Sequence, residues 1–349
     1  MRCGRGPCRA ALSALFALAA GSGSASTPPA DLSPGATLER AVAAEESQRF
    51  NSTLTVGKIY RLTVELRGIH LVAGVRGPDG LTIAVVDSPL DRWGSEIVLL
   101  RPAVSGSFQI EVRAETKGVG PGRCALRLEE IPESTSGLSE MTEAGSILRR
   151  EPTGSFEKIL VAFQAARGHF QAAGDRPDEA EAINDIAAVT HRLGKQKQAV
   201  ELYREAIARW HELDRPEREM AAWNDLGLTE WELSEPPAAG EAFARALDIA
   251  RRLDLAYPQA DLRNNQCLVL HAKGEIQSAL ACYREALALY HQLGETRDEA
   301  TALNNLGFAE FGLGEPRPAE ESYGRALAIR RATGDLPSRV ADNFFWLGR

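Results

Sequence analysis

Along this chain the spacing of apolar side chains changes period once, near residue 130. From residue 36 to about Glu130 the period is two. Across Ile59–Arg67, Tyr60, Leu62, Val64 and Leu66 alternate with Arg61, Thr63, Glu65 and Arg67. Phe108, Ile110 and Val112 alternate with Gln109, Glu111 and Arg113, and Cys124, Leu126 and Leu128 share one face. Such alternation turns one face of a strand to a core and the other to water. A Gly-Pro-Asp-Gly turn, Gly77 to Gly80, separates two further apolar runs. About six to eight short strands with turn signals between them predict a small β-sandwich.

From about Leu138 the period is helical, and the pattern returns every forty residues. Four blocks begin at Ala180, Met220, Ala260 and Ala300 and align without gaps. A small residue recurs at Ala187, Gly227, Cys267 and Gly307, and a loop residue at Gly194, Ser234, Gly274 and Gly314. In the second half of each block Ala199, Ala239, Ala279 and Ala319 match. So do Tyr203, Phe243, Tyr283 and Tyr323, and then Ala206, Ala246, Ala286 and Ala326. Small residues let two helices approach, and the aromatic fills the gap between them. Residues 155–174 read as the second helix of a degenerate preceding block, with Phe163 and Ala166 in register.

This arrangement resembles the tetratricopeptide repeat in a long, forty-residue form. The family's small residues at positions eight and twenty, aromatic at twenty-four and alanine at twenty-seven all have counterparts. Glu230 and Glu310 depart from it, standing where a tyrosine is usual. Arg263 and Gln266 replace apolar residues, so the third repeat is expected to pack more loosely. The resemblance implies stacked helix pairs whose first helices line a concave, ligand-facing surface. Carried over residue by residue, its fifth position is Asn184, Asn224, Asn264 and Asn304, and its sixth is Asp185, Asp225, Asn265 and Asn305. The ninth and twelfth supply Leu228, Leu268, Phe308, His191, Trp231, His271 and Phe311.

The asparagine column has two readings. An amide both donates and accepts, so a column of amides can hold the backbone of an extended peptide, with Trp231, His271, Phe308 and Phe311 selecting side chains. Alternatively the asparagines bond from helix to helix and stabilise the stack. The partner expected is therefore a protein or peptide.

The segment 36–131 resembles the bacterial pre-peptidase C-terminal domain, a jelly-roll-like module of secreted proteins. The likeness rests on "YRLTVELRGIHLVAGVRGPDG", "VVDSP", "GSFQIEVRA" and "GRCALRLEE". In its order of parts the chain resembles bacterial exported or envelope proteins that end in a caspase-like CHAT peptidase domain. That domain would follow Arg349, so no catalytic residue carries over. The expected class is thus multidomain β plus α, a small jelly-roll-like β-sandwich followed by a helical repeat solenoid. The principal reading is a non-enzymatic exported scaffold. One alternative is the sensor arm of a CHAT-type peptidase; another is carbohydrate or envelope binding by the sandwich.

The N-terminus changes where this protein is expected. Arg2, Arg5 and Arg9 precede the apolar stretch Ala10 to Ala20 and the small residues "GSGSAS", the order of a signal peptide over residues 1–26. The apolar stretch is shorter than the roughly 20 residues of a membrane span. Residues 27–35 form a Pro/Ser/Gly linker, 132–178 a linker with the degenerate first repeat, 179–339 the four repeats, and 340–349 the start of an incomplete fifth. There Phe344, Phe345, Trp346 and Leu347 form an apolar run expected to promote self-association.

Composition narrows the chemistry. The formal net charge of −8 argues against nucleic acid as a partner. No Cys/His cluster has metal spacing, no catalytic arrangement can be assembled, and no cofactor is expected. Cys124, Cys267 and Cys282 are too few for a disulfide framework. Cys267 and Cys282 are read as free thiols packing like small hydrophobes. His211 and His291 suit solvated helix C-termini.

Overall fold

The computed structural model describes residues 29–42, 47–67, 71–87, 93–114, 122–131, 137, 140–141 and 156–334. The signal-peptide segment and the apolar run Phe344–Leu347 lie outside them. The chain divides into a β-unit, Met1–Thr116 with Gly122–Thr135, and a helical unit formed by the remainder.

The β-unit holds nine strands among the described residues. The first sheet contains β1 (Ala30–Asp31), β3 (Ser47–Leu54), β8 (Gly106–Ala114), β5 (Leu71–Arg76) and β6 (Thr82–Asp87), in that order across it. The second runs β2 (Thr37–Val42), β9 (Gly122–Ile131), β4 (Ile59–Arg67) and β7 (Trp93–Leu100). All pairings are antiparallel except the short β1 against β3. The alternation in the sequence becomes burial: Leu62, Val64, Phe108, Ile110, Val112, Cys124, Leu126 and Leu128 are all buried. Glu129 and Glu130 belong to β9, where Glu129 pairs with Arg61 and Glu130 with Lys58. Cys124 is a free thiol pushed up to about 11 by burial. The predicted turn joins β5 to β6, with Gly80 at φ +76° and Gly77 donating to Leu81.

The helical unit contains α1 (Phe156–Ala173) and four helix pairs among the described residues. The first helices are α2 (Arg176–Arg192), α4 (Pro216–Glu232), α6 (Ala256–Ala272) and α8 (Thr296–Gly312). The second helices are α3 (Gln196–Glu212), α5 (Pro236–Arg252), α7 (Ile276–Leu293) and α9 (Pro316–Thr333). Every first helix starts four residues before its sequence block. Pro177 and Pro216 sit in the opening turns of α2 and α4, where proline's missing N–H costs nothing. α1 buries Phe163 and Ala166, as the degenerate repeat requires. Gly137 lies against Phe170 and the Ala166 carbonyl, too close for a Cβ.

Each first helix ends in one cap. Gly194, Ser234, Gly274 and Gly314 take φ of +74°, +60°, +77° and +81°. The next residue's N–H then reaches back to a carbonyl of the last turn, as Lys195 to Thr190 and Glu235 to Glu230. Within each pair the small residue meets the aromatic: a Cβ on Gly227 would lie 2.6 Å from Phe243, and one on Gly307 3.0 Å from Tyr323.

Candidate peptide-binding face

First helices of neighbouring repeats touch one another directly, α2 with α4 and α6 with α8. Their fifth and sixth positions therefore meet between repeats. Asn265 Nδ2 donates to Asn224 Oδ1 at 3.0 Å, and Asn305 Nδ2 donates to Asn264 Oδ1 at 3.3 Å. The column is thus a ladder of amide rungs, with one asparagine from each of two adjacent helices. Asn264 and Asn265 are 5% and 7% exposed, whereas Asn184, Asn224, Asn304 and Asn305 are half-buried. The ladder changes character at its first step. Asp225 occupies the place of Asn265 and Asn305, and an ionised carboxylate only accepts. The buried Asn184 Oδ1 correspondingly has no hydrogen-bond partner.

Beside the ladder run positions nine and twelve. Leu228, Phe308 and Phe311 are 37%, 42% and 55% exposed. His271 stacks on Phe308 with ring centroids 4.8 Å apart, tying position twelve of one repeat to position nine of the next. Burial lowers the His271 pKa, so near neutral pH its ring is uncharged. Trp231 and Leu268 are half-buried on the same face. Gly312 leaves room beside His271, whose Nε2 would stand 3.8 Å from a Cβ there. Toward the N-terminal end the face becomes polar: the His191 ring lies 2.7 Å from Glu232, and Arg218 pairs with Glu181 at 3.2 Å. The face grades from polar to aromatic along the array.

Away from this face the two departures from the repeat pattern are accounted for. Glu230 is buried and accepts from Arg204 of the preceding second helix at 3.1 Å. Burial nonetheless holds its carboxyl above the ordinary range. Glu310 accepts from Ser322 Oγ at 2.7 Å, with Arg284 at 3.8 Å. His211 and His291 are exposed near helix ends and pair with Glu219 and Glu299 at 3.1 and 3.4 Å. Arg204 and Arg284, Glu230 and Glu310, and His211 and His291 each stand eighty residues apart. These contacts recur with every second repeat, so the array is a tandem of two-repeat units.

The cysteine reading is corrected. Cys267 and Cys282 are joined in a disulfide, with Cα atoms 5.5 Å apart, linking α6 to α7. The signal lay in their separation of fifteen residues. That spacing sets repeat positions eight and twenty-three opposite each other, where the fourth repeat has Gly307 and Ser322.

The tetratricopeptide-repeat family matches residues 258–332 in one form and 180–213 in another. Aspartyl phosphate phosphatase F from Bacillus subtilis aligns over 60% of this chain and 54% of its own, with a TM-score of 0.54 and 14% identity. The apo form of RapI aligns over 60% and 56%, with a TM-score of 0.52 and 13% identity. BtubC from P. vanneervenii aligns over 57% and 90%, with a TM-score of 0.49 and 21% identity. At these identities the likeness is one of fold. Within the helical unit, residues 180–213 and 258–332 match tetratricopeptide repeats, and the unit as a whole shares their helix-pair fold.

Proposed function

We propose, on the premise that the helical unit is a tetratricopeptide-repeat scaffold, that its row of first helices binds an extended peptide segment of a partner protein. The carrying observation is the placement of exposed apolar side chains. Of the four large hydrophobics exposed among the described residues of this unit, Leu228, Phe308 and Phe311 occupy positions nine and twelve, and only Val161 of α1 does not. Exposed apolar side chains gathered on one row of helices mark a surface suited to covering by a partner. Asn184, Asn224, Asn304 and Asn305 supply half-buried amides along the floor, while Asn264 and Asn265 hold that floor in register. The peptide's apolar or aromatic side chain sits against Trp231, His271, Phe308 and Phe311. Its polar end faces the polar half.

The chain is read as exported, with its mature form beginning near Thr27, and the Cys267–Cys282 bond supports that reading because disulfides persist in oxidising compartments. N-terminal sequencing of the envelope fraction tests it, and intact Met1 protein found solely in the cytosol would refute it. The order of sandwich and repeats favours a second reading, the sensor arm of a CHAT-type peptidase. A CHAT-type reading frame just downstream of codon 349 would support that arm, and its absence would remove it.

For the binding face, the full chain is used as target for a random linear-peptide library. Enrichment of peptides sharing an aromatic or large aliphatic residue is expected. Enrichment of no common pattern would count against a peptide-binding face.

A further inference from the structure

The helix that carries both complete asparagine rungs is the one with the poorest apolar face. α6 places Arg263 and Gln266 where the other first helices place Ile183, Trp223 and Leu303, and Ile186, Leu226 and Leu306. Arg263 leaves the core to pair with Glu285 of α7 at 2.7 Å, and Gln266 is only half-buried. Yet Asn265 of α6 reaches back to Asn224 and Asn264 receives Asn305, so α6 must hold its register on both sides. What α6 lacks in packing, the covalent bond from Cys267 to Cys282 of α7 replaces.

We propose that Cys267–Cys282 is a reversible thiol–disulfide site that sets the order of α6 and, through the two rungs, the middle of the binding face. The co-reactant is a dithiol. Its thiolate attacks the Sγ of Cys282, the less deeply buried of the two residues, at 8% residue exposure against 0% for Cys267. The disulfide breaks, Cys267 leaves as a thiolate and takes a proton from water. The second thiol of the reductant, giving up its proton, then displaces Cys282 from the mixed disulfide, and the Cys282 thiolate takes up that proton. Two electrons pass to the protein, and the reductant leaves as a cyclic disulfide. The reduced pair is provided for: Cys267 Sγ lies 3.0 Å and Cys282 Sγ 3.5 Å from the Arg263 carbonyl, an acceptor that S–H groups can use. Reduction therefore removes the tie without stranding two buried thiols. Oxidised glutathione, accepting the two electrons, restores the bond.

The test uses the full chain purified without reductant. Peptide mapping after alkylation under denaturing, non-reducing conditions is expected to find Cys267 and Cys282 linked and Cys124 labelled. Dithiothreitol is expected to lower the Tm by about 5 °C or more and to raise amide hydrogen exchange in α6 and α7 at least tenfold, leaving α2 and α3 unchanged. Oxidised glutathione should reverse both effects. Cys267→Gly with Cys282→Ser, the residues of the fourth repeat, should show no response to dithiothreitol. Cys282→Ser alone serves the same comparison if the double variant does not fold. Free thiols at both positions in the purified chain would overturn the proposal, as would unchanged exchange in α6 and α7 on reduction.

Discussion

An asparagine in a helix interior costs a few tenths of a kcal/mol relative to a strong helix former, because its side chain competes for backbone hydrogen bonds. In this array the cost is offset by rungs such as Asn265 to Asn224, each contributing about 0.5–1.5 kcal/mol where both partners leave water. The first step, where Asp225 stands in place of the second asparagine, makes this testable. Asp225→Asn would place a donor opposite the unpaired Asn184 Oδ1, and stabilisation of about 1 kcal/mol is expected in chemical denaturation. A variant less stable than the parent would contradict a ladder that extends to that step. Glu230 gives a second prediction. Burial raises its pKa above the ordinary 4.5, with Arg204 opposing the shift only in part. Because the folded state prefers the protonated form, this contribution to stability is present below pH 4.5 and lost as pH rises through the raised value. Glu230→Gln keeps an oxygen for Arg204 and titrates nothing. Its melting temperature should exceed the parent's at pH 7 and converge with it near pH 4. Parallel curves across that range would show that Glu230 does not carry the effect.

At the scale of helices, turn chemistry and close approach dominate. Ser234 holds the cap position that Gly194, Gly274 and Gly314 hold elsewhere, at φ +60°, where a Cβ costs about 1 kcal/mol. Ser234→Gly should therefore stabilise the chain by up to about 1 kcal/mol in denaturant unfolding. No gain would indicate that Ser234 makes a compensating contact. Gly227 and Gly307 act through space, since a Cβ on either would press on Phe243 or Tyr323. Most of this was legible in the sequence, because caps and helix contacts recur every forty residues and repetition exposes them. Helix starts were less legible: the prolines that open α4, α5 and α9 precede the apolar period on which the blocks were aligned. The disulfide escaped for a different reason. Cysteine fits the small-residue slot whether free or bonded, so only the pairing of positions eight and twenty-three could have announced it. The rungs also needed structure, because a column at one repeat position looks the same whether it faces a ligand or a neighbouring helix.

At the scale of the molecule, the β-unit and the helical unit each bury a core of their own. Within the helical unit the two faces of the array are built differently. Second helices meet first helices through alanines, aromatics and the arginine-held Glu230 and Glu310. First helices meet each other through amides, and leave a strip of leucine and phenylalanine uncovered. The eighty-residue recurrence of Arg204 and Arg284 beside Glu230 and Glu310 lies away from the row of first-helix apolar side chains. The grade from polar to aromatic side chains along the first helices does not follow it, so that face is differentiated along its length in a way the repeat alone does not require. The account turns on whether this strip is where a peptide sits. The most direct measurement is the affinity of one library-selected peptide for the parent, for Phe308→Ala with Phe311→Ala, and for Val161→Ala, with Tm recorded for each. The account predicts at least a tenfold loss for the double variant with a Tm near the parent's, and none for Val161→Ala. Undiminished binding by the double variant would contradict it.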